Sequence, residues 1–160
     1  MEICCQTGEV AHLPDDPSVV VAGVDLHRAV LTRHDLRGRR FERCSFRNAL
    51  LGLAQLDRVQ FVDCTLVMAE FDGASLVGAQ FIGGLAIGAS FHAAQLVNAT
   101  FEATDLSGAV FLGASLDGAR FTVDPSAARL DGALYSATTS WPVGFDPTAH
   151  GLRLLAEPGA

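Results

Sequence analysis

At 160 residues with 49% hydrophobic content, the chain is the size of one domain and can bury a continuous core. Its basic residues are eleven Arg and no Lys against a net charge of −7, which argues against a basic nucleic-acid-binding surface. Four Cys are too few and too irregularly placed for a disulfide framework, and no stretch has the length of a membrane span.

The chain begins Met1, Glu2, Ile3, without a basic segment leading into an apolar run, so a cytoplasmic location is expected. Pro14, Asp15, Asp16 and Pro17 form a turn cluster that sets off residues 1–20 as an N-terminal cap segment. Ile3, Val10 and Leu13 are its apolar residues, and they are expected to cover the open end of whatever follows.

From Val21 to Phe121 a large apolar residue returns at every fifth position: Leu26, Leu31, Leu36, Phe41, Phe46, Leu51 and onward, with Val21 and Ala86 departing from the Leu/Phe choice. Two residues earlier stands a small residue, as at Ala69, Ala74 and Ala79, and two residues later Gly becomes usual, as at Gly73, Gly78 and Gly83. A period of five scatters around a helix and alternates between the faces of a flat strand, so neither element gives one buried side. It works if the chain turns a corner in each repeat, always toward one interior: an all-β solenoid. From Phe61 to Phe121 the interior series alternates Phe and Leu, which requires an even number of sides if like is to stack on like. Four sides is the economical solution, with Phe ladders on one pair of opposite walls and Leu ladders on the other.

Strings such as "AEFDGASLVGAQF" and "ATDLSGAVFLGASLDGARF" resemble the A(D/N)LXX consensus of pentapeptide-repeat proteins. The resemblance implies a right-handed quadrilateral β-helix with four pentapeptides per coil, here over residues 21–135, followed by a C-terminal cap and tail over 136–160. His34, Arg39 and Cys44 stand at the small position and Arg40 at the polar one, so the early coils are expected to be less regular.

Cys44 and Cys64 lie one coil apart at the small interior position and read as two small buried thiols. Cys4 and Cys5 have no His or Cys partner at metal-ligand spacing, and neither a metal nor a cofactor is expected. Arg28, Arg33, Arg37, Arg39, Arg40, Arg43, Arg47 and Arg58 crowd the early coils, whereas 59–119 has no Arg or Lys and contains Asp63, Glu70, Asp72, Glu102, Asp105 and Asp117. The rod is therefore polarised in charge. Val62, Val67, Ile82, Leu85 and Ile87 fall at outward positions on two adjacent walls, with Met68 close by, and read as a contact surface for a protein partner. Near them the repeat weakens at Gly84 and Ala86, which leaves either a small cavity or a local slip turning Leu85 inward, and the slip is expected because it restores a dense interior.

After Phe121 the phase breaks at Thr122, Val123, Asp124, Pro125 and resumes at Leu130 and Tyr135, as an inserted loop would make it. The string "YSATTSWPVGFDPTAHG" resembles the closing segment of many bacterial pentapeptide-repeat proteins. Tyr135, Trp141 and Phe145 can seal the last coil, and Asp146–Pro147 followed by Gly151 reads as a short helix with its start and stop. Leu152, Leu154 and Leu155 form an apolar tail; in several relatives such a tail packs on a second copy, so a homodimer through this end is expected.

Ser90 and His92, with Glu70 and Asp72 stacked one coil before, supply on paper a nucleophile, a base and a carboxylate. A flat wall offers no pocket, and the ladder consumes the N–H groups that would stabilise an oxyanion, so no enzyme is expected. Three function classes follow. A non-enzymatic interaction protein uses its walls to bind a protein partner. The resemblance implies a second class, a DNA mimic that modulates or protects a type II topoisomerase such as DNA gyrase or topoisomerase IV and confers drug or self-resistance. Duplex DNA, with a charge per about 1.7 Å of axis, is far denser in charge than the acidic residues named above. A small-molecule binder or enzyme near Ala86 is the third.

Overall fold

The structure, a computed structural model, describes residues 1–6, 8 and 10–156. Strands β1 (Glu2–Cys4) and β2 (Val10–His12) form an antiparallel hairpin. Strands β3 (Val21–Ala22), β4 (Arg40–Glu42), β5 (Gln60–Val62), β6 (Gln80–Ile82), β7 (Thr100–Glu102) and β8 (Arg120–Phe121) stack into a six-stranded parallel sheet. Strands β9 (Leu134–Tyr135) and β10 (Arg153–Leu154) make a parallel pair.

The six-stranded sheet is wall 1 of a solenoid. Phe41 pairs with Phe61, Phe61 with Phe81, and Phe81 with Phe101, so one coil is twenty residues. Three further ladders keep the same register: Asp25–Ser45–Thr65–Leu85–Asp105 on wall 2, Val30–Leu50–Glu70–Ser90–Val110 on wall 3, and Asp35–Gln55–Ser75–Gln95–Ser115 on wall 4. The corners between walls are tight turns. At one of them Ala49 N–H donates to Phe46 C=O at 2.9 Å, and Asn48 takes φ 54°, the left-handed second central position of a type II turn. Glycine serves this position for more than its freedom in φ. A Cβ on Gly73 would stand 2.9 Å from Leu53 Cδ2, and one on Gly88 2.6 Å from Met68 Sδ. The corner side chain of one coil therefore lies over the bare corner of the next.

Inside, the large residues stack in columns. Phe61–Phe81 and Phe81–Phe101 are parallel at 5.3 and 4.7 Å between centroids on wall 1, and Phe71–Phe91 and Phe91–Phe111 at 5.0 and 4.8 Å on wall 3. Rings from the two opposite walls meet edge-on, as Phe81 and Phe91 do at 5.5 Å and 87°. Each such pair contributes about 0.5–1.5 kcal/mol beyond its buried area. Leu fills wall 4, with Leu76, Leu96 and Leu116 fully buried, and wall 2 carries Leu26, Phe46, Leu66, Ala86 and Leu106 in turn.

The early coils are as regular as the later ones, contrary to the expectation from their unusual residues: Val21 pairs with Phe41 and Asp35 with Gln55 in the same twenty-residue register. The reason is that the large side chains leave the core. Arg39 is buried yet directs Nη1 out to Pro14 C=O at 2.8 Å, tying the leading segment to the first coil. Arg28, Arg33, Arg43 and Arg58 occupy left-handed corner positions, from which their side chains project outward. In the leading hairpin Ile3 and Leu13 are buried, whereas Val10 lies on its outer face and is exposed.

The expected slip at Gly84 does not occur. Leu85 points out, Ala86 is buried, and the bonds Leu66 N–Leu85 O at 2.6 Å and Ala86 N–Asp105 O at 2.8 Å keep the ladder in register. A one-residue slip would turn every following side chain to the wrong side, and one missing side chain is the smaller loss. Nor is there an inserted loop after Phe121. Gly108 N bonds to Ala127 O but Phe111 N to Arg129 O, so this coil is one residue short there. The residue is regained before Arg120 meets Ser140, one coil later at the usual spacing.

The C-terminal cap holds no helix among the described residues, which corrects the expected helical cap. Asp146 Oδ1 accepts from Thr148 N at 2.9 Å and from Ala149 N at 3.4 Å, as a helix start would, but Gly151 takes φ 76° and the chain leaves for β10 after a single turn. The aromatic seal is present: Trp141 stacks on Phe121 at 4.8 Å and meets Tyr135 edge-on at 6.0 Å. Leu152 is buried against this end and so is not part of a free dimerisation face. Residues 157–160 of the expected tail lie outside the described residues.

Candidate partner-binding surface

The corner between walls 1 and 2 gathers the predicted apolar residues. On wall 1, Val62 pairs directly with Ile82, both half-buried along the sheet. On wall 2, Leu85 lies beside Thr65 in the ladder, and Ile87 follows it at the next outward position. Leu85 and Ile87 are exposed and Met68 more so, at 42%, 37% and 56%, while Val67 is half-buried. The regular ladder is what holds them outward, since Ala86 between them takes the interior position. These residues therefore form one apolar area across two adjacent coils, with Asp63 at the corner and Glu102 and Asp105 in the next coil.

The carboxylates do not line up. Glu102 lies on wall 1, Asp105 on wall 2, Glu70 and Asp72 on wall 3, and Asp117 on wall 4, with Asp63 at the wall 1–wall 2 corner. Two are already engaged: Asp105 Oδ1 accepts from Ser107 Oγ at 2.6 Å and from Ser107 N at 2.9 Å, which lowers its pKa. Ser90 Oγ donates to Asp72 Oδ1 directly, and the structure gives His92 no bond to either. The Ser–His–carboxylate order of a nucleophilic site is therefore not assembled. Among the described residues no group of three or more His, Cys, Asp or Glu is placed to hold a metal ion.

Among the early Arg residues, Arg37 grips Asp35 through Nε at 2.9 Å and Nη2 at 2.7 Å, which holds the Asp35 pKa down at about 2. Arg40 Nε meets Glu42 at 2.7 Å, and its Nη1 starts a side-chain ladder, donating to Gln60 Oε1 at 2.6 Å while Gln60 Nε2 donates to Gln80 Oε1 at 3.1 Å. The twenty-residue spacing of Arg40, Gln60 and Gln80 is the signal from which that ladder could have been found. Arg28, Arg33, Arg47 and Arg58 make no ion pair among the described residues.

Cys44 and Cys64 are free, buried thiols one coil apart at the wall 1–wall 2 corner, Cys64 in the coil that carries Val62 and Val67. Cys44 Sγ donates to Val21 C=O at 3.3 Å and Cys64 Sγ to Phe41 C=O at 3.4 Å, and Thr104 Oγ1 makes the equivalent bond to Phe81 C=O at 3.1 Å. The neighbouring Cys44 thiol and burial together push the Cys64 thiol up out of the physiological range. The same neighbour acts downward on the Cys44 thiol, and burial opposes it.

The five-residue rhythm, the corner turns and the four ladders coincide with a match of residues 34–111 to the family model described as a pentapeptide repeat region. The chain carries a pentapeptide-repeat solenoid. Solved structures to which it is similar include a trypsin-treated form of QnrB1, a plasmid-mediated fluoroquinolone resistance protein, 20% identical over 84% of this chain and 81% of that one at a TM-score of 0.39. Another is alr5209, a pentapeptide repeat protein from Nostoc Pcc 7120, 21% identical over 82% of this chain and 84% of that one at 0.31. A third is the pentapeptide repeat protein Rfr23 from the cyanobacterium Cyanothece 51142, 19% identical over 76% and 87% of the two chains at 0.33. No curated protein matches the chain. No helix among the described residues is long and apolar enough to cross a membrane.

Proposed function

We propose that this pentapeptide-repeat protein is a non-enzymatic interaction module that binds a protein partner through the corner of walls 1 and 2. The observation that carries this is the contiguity of Val62, Val67, Met68, Ile82, Leu85 and Ile87 on a rigid wall, with Met68, Leu85 and Ile87 exposed. A preformed flat surface with a central apolar area and charged edges gives up little side-chain freedom on binding. The test is affinity capture and cross-linking with the wild type beside Ile82→Asp and Ile87→Asp, each checked for unchanged circular dichroism. Partners held by the wild type and lost by both variants support the reading; identical partner sets from all three count against it.

A DNA-mimicking modulator of a type II topoisomerase stands second. The net charge of −7 favours it, and the placement of carboxylates on four different walls weighs against a phosphate-like row. Supercoiling by purified DNA gyrase, with and without a quinolone, tests it: no change in activity or drug sensitivity at micromolar protein removes it. Self-association through the C-terminal end is carried by Leu154, exposed on β10, with Leu155 half-buried beside it. Light scattering that gives the monomer mass at every concentration removes that reading.

A further inference from the structure

Wall 2 is a graded surface, and its grading names a partner. In ladder order its rungs are Asp25 and His27; Ser45 and Arg47; Thr65 and Val67; Leu85 and Ile87; Asp105 and Ser107. Arg28, Arg43 and Met68 stand at the corners beside these rungs and are all exposed. The wall therefore runs from basic through apolar to acidic along the axis of the rod. The basic end is available: Arg28 and Arg47 make no ion pair among the described residues, and Arg43 reaches Glu42 only at 3.9 Å. Asp25, the one carboxylate on the first rung, turns back to accept from His27 N at 2.9 Å. Arg28 N bonds to Arg47 C=O at 2.9 Å and Asn48 N to Val67 C=O at 3.0 Å, so the cationic rungs adjoin each other and the apolar ones.

We infer that wall 2 receives an amphipathic helix of a partner protein, laid along the rod, with carboxylates at one end over Arg28, Arg43 and Arg47 and apolar side chains over Val67, Met68, Leu85 and Ile87. The inference rests on the partner-binding reading above and adds the chemistry and direction of the partner. Adjacent rungs are about 4.8 Å apart, close to the ~5.4 Å pitch of a helix. One turn of helix thus faces one coil, and two to three turns span the basic and apolar rungs. A strand is not the occupant, because the backbone N–H and C=O groups of the wall are consumed in the ladder and offer no edge to augment. Asp105 at the far end repels a second acidic terminus, so the charges select orientation while the apolar rungs supply affinity.

The test is selection of a displayed library of sixteen-residue helical peptides on the wild-type protein, followed by affinity measurements on the winners. The expected winners carry an excess of Asp and Glu at one end, bind Arg47→Glu and Arg28→Asn at least tenfold more weakly, and lose binding on Ile87→Asp. Their affinity falls with added salt on the wild type and does so less on Arg47→Glu. Winners that lack the acidic end but are lost on Ile87→Asp overturn this inference and leave the apolar-surface reading standing. Winners indifferent to Ile87→Asp overturn both, and a library that enriches nothing overturns the helix while the capture experiment above decides the partner reading. Sedimentation with phosphatidylserine vesicles that depends on Arg28 and Arg47, in the absence of peptide enrichment, replaces the helix with a membrane surface.

Discussion

Single residues at the corners set the close packing of the coils, and Gly84 shows it best. In sequence it reads as a defect at the small position, since Ala fills most equivalents. In space a Cβ there would stand 2.2 Å from the Cys64 carbonyl oxygen and 2.8 Å from its nitrogen, at φ 76°. Gly38 shares the left-handed conformation, at φ 68°, but has nothing within 4 Å. Gly84→Ala is therefore expected to destabilise by about 2–4 kcal/mol, and Gly38→Ala by about 1 kcal/mol. Urea unfolding of the two variants checks the ordering, and equal losses would contradict it. The Asp35–Arg37 pair gives a pH signature at the same scale. Its folded pKa of about 2 lies below the model-peptide value of 3.8, so its contribution is present above about pH 4 and is lost as the pH falls through 2. Both side chains are half-exposed, at 51% and 55%, so solvent screening keeps the expected contribution small. Stability of Asp35→Asn should fall short of the wild type at pH 7 and converge with it near pH 2; a gap that persists at pH 2 would assign the loss to something other than the ion pair.

The repeat is legible in the sequence because each of its positions serves a single physical need. The large residue fills the interior, the small residue clears the corner, and Gly answers the left-handed turn. Phe61, Phe81 and Phe101 thus announce a column by their spacing alone. The ends carry no such redundancy. Asp146, Pro147 and Gly151 satisfy every local rule for a helix, yet so short a segment cannot propagate one against the pull of a parallel pairing between β10 and β9. Leu152 reads as free tail and instead packs under the last coil, because nothing local says where the rod stops. The apolar corner is readable by counting outward positions over a twenty-residue coil; the Gln60–Gln80 ladder obeys the same count, but amides give no hydropathy signal. The central column itself makes a strong expectation. Phe81 touches Phe61, Phe71, Phe91 and Phe101 at 4.7–6.2 Å. Phe81→Ala should destabilise by about 3–5 kcal/mol, read as a lower urea midpoint, and a loss under about 1 kcal/mol would mean the column collapses to fill the gap.

At the scale of the whole molecule the four ladders make the rod a screw with four flats, each turn twenty residues long. Duplicating 61–80 in place should lengthen it by about 4.8 Å and leave every later side chain on its own flat. Inserting only one pentapeptide should still permit a folded rod, since the corner chemistry repeats every five residues, but would rotate everything downstream by a quarter turn. Leu85 and Ile87 would then leave the flat they share with Arg47, and a partner reading that flat would be lost while the circular dichroism spectrum stayed that of a β-solenoid. Change in such a chain is thus quantised twice: multiples of five preserve the fold, and only multiples of twenty preserve the message written along its side.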